Sequence, residues 1–456
     1  MIQNQGSRIP VFLFVGLVST IALLALAIIE PAGSDTYLLP LVLFGAVIVT
    51  ATISLKNEPL LTVAKWVLAY ITLTTLVRAI FLIATSSNEV PIIQHLGRGE
   101  LFERVLTNAL WLGVASLIAF ILGHSAIRRS RSTAHERPFA TSPKGAIGAS
   151  GWVCAAAVAS TIAVPGSRVS DVTAGGDFVF SLPAYFATGW GVLLVYFAFA
   201  GDKRAKTFIL PFVFLALMRV LLIGSKAMLL ALVLTGFICA VARLPRNRRA
   251  LLIPIAAGLL PLALGTFSVA SSGTVSSVSS SVTDGSSALV SRSYGVDSVM
   301  ATQVYLEDGA PYGGLESLDL AFTGVIPRAL WPDKPKSFSQ RFGVQVFWFS
   351  SLAGVSFFAP SLTGELLLSG GIVAVVLGWL LFGVITGLAD KRLSPAWRIL
   401  ILLLLIKMVE GSVVSQIYSA IPAILAGLFL ISPNDSGSLE CPTRAGMRAS
   451  AIQGRS

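Results

Sequence analysis

Runs of about 20 apolar residues recur along this chain, beginning with Pro10 to Ile29 and continuing to residues 417–432. A helix of that length crosses ~30 Å of hydrocarbon, and inside a bilayer only helices and closed barrels satisfy their own backbone polar groups. The runs fall near residues 9–29, 37–55, 60–84, 104–127, 145–165, 181–200, 207–223, 227–242, 250–270, 363–388, 399–415 and 417–432. The expectation is therefore an all-α polytopic membrane protein with about twelve transmembrane helices. Composition agrees, because 55% of the 456 residues are hydrophobic, 12% are charged and the mean hydropathy is +0.82, which excludes a soluble globular domain. The first run is longer than a signal-peptide core and precedes many others, so it is read as a retained span. No internal repeat is visible, which counts against a transporter built from repeated halves.

A formal charge of +11 suggests nucleic acid until its distribution is examined. Arg128, Arg129, Arg131, Arg137 and Lys144 share one short loop; Lys203, Arg204 and Lys206 the next on that side. Arg243, Arg246, Arg248 and Arg249, then Lys391, Arg392 and Arg398, continue the series, while the opposite short loops carry almost only Arg98, Arg168 and Lys226. Such asymmetry marks cytoplasmic loops, so both termini are expected in the cytoplasm and no nucleic-acid partner is expected. Cys154 and Cys239 fall in spans and Cys441 in the tail, so no disulfide is expected. His95, His124 and His135 lie on different segments without ligand spacing, and neither metal nor cofactor is expected.

Residues 271–362 break the rhythm of short loops. On the positive-inside reading this segment is a long periplasmic or extracellular loop. It opens with the low-complexity run SSGTVSSVSSSVTDGSS and closes with VQVFWFSSLAGVSFFAP, apolar enough to dip into the interface as a re-entrant element. Loops of this length are usually functional or disordered. Beneath it, Arg78, Arg219, Lys226, Glu365, Lys407 and Glu410 lie toward the same ends of their helices, and Lys65 toward the other. A charge in the bilayer centre costs roughly 2.5–3.5 kcal/mol even on the lenient insertion scale, so a set at one depth points to a polar cavity. Blander roles exist for each: snorkelling for Arg78 and Arg219, mutual neutralisation for Lys407 and Glu410 three residues apart, and the helix dipole for Glu365.

Between the two ends of the loop stands GVIPRALWPDKPKSF, from Gly324. Pro327, Pro332 and Pro335 stiffen the backbone that carries Arg328 and Lys334. Pre-ordered cations suit a diphosphate, since charge-assisted hydrogen bonds contribute about 1.5–3 kcal/mol each. Trp331 offers a flat face for a sugar ring or for the membrane interface. Residue types alone leave a diphosphate clamp and an interface plug both open.

That run, followed by SFFAPSLTGELLLSGGIVAVVLGWLLFG, resembles the Wzy-type O-antigen and exopolysaccharide repeat-unit polymerases. The family typically shows IPR, WP and DKP in a long outer loop, then a helix opening with a Gly-Glu pair. GSKAMLL at Gly224 is similar to its Gly-Ser-basic segment, and SRSYGVDS at Ser291 to its loop arginine region. The resemblance covers mainly residues 219–390. Lys226 stands where arginine is more usual, and Leu366, Leu367 and Leu368 where an aromatic residue is common.

What the resemblance implies is a GT-C-like membrane glycosyltransferase of the inner (plasma) membrane, active in cell-envelope polysaccharide biosynthesis. Nine spans in 1–270, the outer loop 271–362, three spans in 363–432 and a tail expected to be disordered at 433–456 would make up the chain. It would transfer a glycan from undecaprenyl diphosphate to a new lipid-linked repeat unit, alongside a flippase and a chain-length regulator of the same pathway. Arg328, Lys334, Arg292 and Arg219, with Arg341 and Lys226 as second choices, would stabilise the departing diphosphate. Glu365, or otherwise Glu410 or Asp333, would accept the acceptor-hydroxyl proton. A lipid-linked glycan flippase is the alternative outside the enzymes, although it needs charge through the full bilayer depth. An O-antigen-ligase-type transferase is the alternative within them, although that family relies on an outer-loop histidine in the second half of the chain.

Overall fold

The computed structural model describes residues 36–55, 58, 61–84, 91–97, 99–128, 145–162, 178–223, 227–244, 295–309, 331, 342, 360–410 and 413–431. Among these residues the protein is helical and contains no strand. In chain order the helices are α1 (Leu38–Leu55), α2 (Val63–Ala84), α3 (Pro91–Leu96), α4 (Glu100–Arg128) and α5 (Ser150–Ile162). They continue with α6 (Phe178–Ala200), α7 (Lys203–Ile223), α8 (Ala227–Arg243), α9 (Gly295–Glu307), α10 (Leu362–Arg392), α11 (Pro395–Glu410) and α12 (Val413–Leu430). Seven helical stretches among the described residues are long and apolar enough to cross a membrane, and Ala227–Arg243 and Ser419–Leu430 are shorter apolar helices. The runs at 9–29 and 250–270 lie outside the described residues.

The helices form two groups. In one, α4 and α10 share the most extensive pairing in the molecule, and α1, α2 and α9 pack around them. Close approach is possible because Gly383 of α10 lies on the Phe120 carbonyl and Gly123 of α4 on the Leu380 carbonyl, where any Cβ would collide. Phe120, Trp379 and Phe382 fill the seam edge-on and tilted. In the other group α6 is the hub, with α5, α7, α8 and α12 on its sides. Its Trp190 donates to Ser150 Oγ of α5 at 2.8 Å, satisfying an indole N–H that would otherwise be buried alone. Helix α11 touches α2, α6, α10 and α12 and so joins the groups.

The apolar run read as a single span at 363–388 has a break in it. Gly370 and Gly371 leave helical geometry, and Gly371 sits at φ 66°, ψ −157°, a region open essentially to glycine alone. Straight, α10 would place Thr363 and Trp379 about 24 Å apart. Instead the Trp379 indole donates to Thr363 Oγ1 at 3.0 Å, and Leu366 lies against Gly378. Residues 362–369 therefore fold back on residues 372–392 as a helical hairpin, and the second arm, about 31 Å long, is the part with crossing length.

Candidate functional site

Helix α9 comes from the segment read as the outer loop, yet every residue from Val296 to Val304 is buried. It packs on α10, α4, α3 and the middle of α2. At one end Glu307 pairs with Arg104 near the start of α4, both exposed, at 2.7 Å. Gln303 is buried beside Val105 and Ala109. The other end lies about 18 Å further along the helix and reaches the middle of α2. There Gly295 abuts the Thr74 carbonyl, and a Cβ would come within 2.9 Å of that oxygen.

Thr74 belongs to a π-helical stretch, Thr72–Val77, directly before Arg78. Such wide turns inside α-helices recur at functional sites. Arg78 is fully buried and forks onto Asp297 of α9: Nε donates to Oδ2 and Nη2 to Oδ1, both at 2.8 Å. Its guanidinium also lies over the Phe81 ring at 5.1 Å. Snorkelling is thus not what Arg78 does. A bidentate pair of this kind offsets the desolvation of both ions and orients them.

Next to Asp297, Ser298 links α9 to the hairpin. Its Oγ donates to Ser361 Oγ at 2.6 Å and accepts the Ser361 N–H at 3.1 Å. Ser361 is the N-cap of α10, where its Oγ accepts the Gly364 N–H at 3.3 Å. Glu365 follows in the first turn, 4% exposed, its N–H bonded to the Ser361 carbonyl at 2.9 Å. A helix N-terminus favours an anion there. The short arm thus holds Glu365 in the interior beside α9 rather than at the mouth of a straight span.

Arg219 occupies a different place. Its Nη1 donates to Thr161 Oγ1 at 2.9 Å. Tyr185 of α6 lines a small cleft of about 30 Å³ between α6, α8, α11 and α12, together with Thr188, Lys407 and Ser419 on otherwise apolar walls. The charged residues expected at one level therefore belong to different settings: Arg78 pairs with α9, Glu365 stands in the α10 turn on which α9 packs, Arg219 bonds Thr161 of α5, and Lys407 lines the cleft. Lys65, expected at the opposite level, donates to the Glu58 carbonyl at 2.5 Å.

Trp331 is partly buried. Glu410 closes α11, and its side chain lies outside the described residues, as do Lys226, Arg292, Arg328, Asp333, Lys334 and Arg341 entirely. Asp297, Ser298 and Ser361 were not singled out by residue type. The signal that could have marked α9 is VDSVMATQV, nine residues with one charge inside a loop otherwise rich in charge. Among the described residues no group of three His, Cys, Asp or Glu side chains is placed to hold a metal ion.

Comparison with known proteins brings no likeness: no family model, curated protein or solved structure matches the chain.

At the opposite end of the first helix group, Asp390 performs a structural task. Its carboxylate accepts the Val63 N–H at 2.6 Å and the Ala64 N–H at 3.2 Å and lies 3.3 Å from His124 Nε2. Thr62, in the N-cap position of α2, makes no side-chain capping bond, so the cap comes from 327 residues away.

Proposed function

We propose that the chain is a multi-spanning glycosyltransferase that polymerises undecaprenyl-diphosphate-linked oligosaccharide repeat units. In this reading it has about twelve spans in a GT-C-like arrangement, lies in the inner (plasma) membrane with both termini cytoplasmic, and works on the outer face. The observation that supports it is the seat of α9: a helix from the long loop is buried against the turn that carries Glu365. A polymerase needs its loop and its span acids to form one site, because the lipid stays in the bilayer while the sugars react beside it.

Bond breaking at the anomeric carbon moves an electron pair onto the departing diphosphate. Arg328, Lys334 and Arg292, with Arg341 and Lys226, supply positive charge there, and Trp331 offers a stacking face to a sugar. Glu365 takes the proton of the attacking hydroxyl, with Glu410 and Asp333 as the other candidate bases. Diphosphate leaves as an anion and needs no proton donor. Products pass to a chain-length regulator, and substrates arrive by a flippase.

The test is a glycan ladder from purified protein in vesicles supplied with undecaprenyl-diphosphate repeat units, with Arg328→Ala in parallel. A ladder of many lengths that vanishes in the variant supports the proposal. Translocated but unextended repeat units overturn it in favour of a flippase.

A further inference from the structure

We infer that Ser298 is a positioning residue: acting through Ser361, it sets where the Glu365 carboxylate stands. The inference rests on the reading of Glu365 as the base. Every proton in the link has a destination. The Ser361 N–H goes to Ser298 Oγ, the Ser298 hydroxyl to Ser361 Oγ, the Ser361 hydroxyl to the Gly295 carbonyl at 3.2 Å, and the Gly364 N–H to Ser361 Oγ. Two segments 63 residues apart thereby become one hydrogen-bonded unit.

Glu365 is tied to that unit through its own N–H on the Ser361 carbonyl. On the other side, Asp297, adjacent to Ser298, is anchored on Arg78. A displacement of the α9 first turn is thus passed to the first turn of α10. The Ser298 hydroxyl also lies 2.9 Å from the Gly295 carbonyl, its local alternative acceptor, which the Ser361 hydroxyl serves when the Ser298 proton goes to Ser361. The additional short contact to Ser361 is what a positioning role requires. Ser298 is fully buried, so loss of its hydroxyl leaves the Ser361 N–H without its acceptor where water does not reach.

The experiment is a double-mutant cycle read in single turnovers in vesicles: wild type, Ser298→Ala, Glu365→Gln and the double variant. Displacing a reacting group by ~1 Å costs on the order of a hundredfold in rate, so Ser298→Ala should lower kcat by about ten- to a hundredfold with KM for the lipid-linked acceptor unchanged. Glu365→Gln should lower it by about 10²–10⁴. In the Glu365→Gln background the serine change should have no further effect. The same loss factor in both backgrounds, or unchanged turnover in Ser298→Ala, overturns the positioning role while leaving the base assignment standing. Full activity in Glu365→Gln overturns the base reading and, with it, this inference.

Discussion

Arg78 and Asp297, 219 residues apart and both out of reach of solvent, share two hydrogen bonds of 2.8 Å that fasten α9 to the middle of α2. An ion pair so placed fixes position more surely than it adds stability, because both charges lose their hydration. Removing one partner takes the counter-charge away from a charge that stays buried. Arg78→Ala and Asp297→Ala are each expected to lower stability by about 3–5 kcal/mol, seen as a large fall in melting temperature in detergent. Replacing both by leucine should recover most of the loss. A double variant as unstable as the singles would refute this account of the pair.

Burial of α9 leads to a labelling pattern. In a background lacking Cys154, Cys239 and Cys441, cysteine at Met300 or Thr302 should resist a membrane-impermeant maleimide, since both positions are fully buried. Cysteine at Glu307, which is exposed, should react within the ordinary time course. Equal labelling at all three positions would place α9 on the surface.

Gly371 carries the reversal of α10. At φ 66°, ψ −157°, an added Cβ costs of order 1–3 kcal/mol, and no rotamer relieves it. Gly371→Ala is expected to reduce folded protein in the membrane and to expose Thr363, now paired with Trp379, to cysteine labelling. Gly148, whose Cβ would meet open space, is the control, and Gly148→Ala should change neither readout.

At the far end of the same helix pair, Asp390→Ala removes the cap of α2. Loss of an N-cap costs about 0.5–2 kcal/mol, so a melting-temperature decrease of a few degrees is expected, and Asp390→Asn should retain part of the effect. A wild-type melt in Asp390→Ala would show that Thr62 or another group takes over the cap.

Which parts of this protein could be read before folding follows from what is local. Span positions depend on apolar residues summed over a window, and the stretches at 37–55, 60–84, 104–127 and 181–200 stand within a few residues of their helices. Glu365 stood out for a similar reason, since a carboxylate in an apolar run is conspicuous by itself. The reversal of α10 was invisible because SGGIVAVV stays apolar whichever way the backbone points. Serines 298 and 361 carried no signal, being two among many in a serine-rich segment.

Hydropathy along the chain, by itself, determined that the protein is a helical membrane protein, because transfer of a residue between water and lipid depends on that residue alone. Tertiary structure decided the rest. It put the carboxylate of Asp297 on the guanidinium of Arg78, the cap of α2 at Asp390 and the first turn of α10 on Ser298. Each of these joins groups 63 to 327 residues apart, and their energy exists only when the backbone brings them within 3.5 Å.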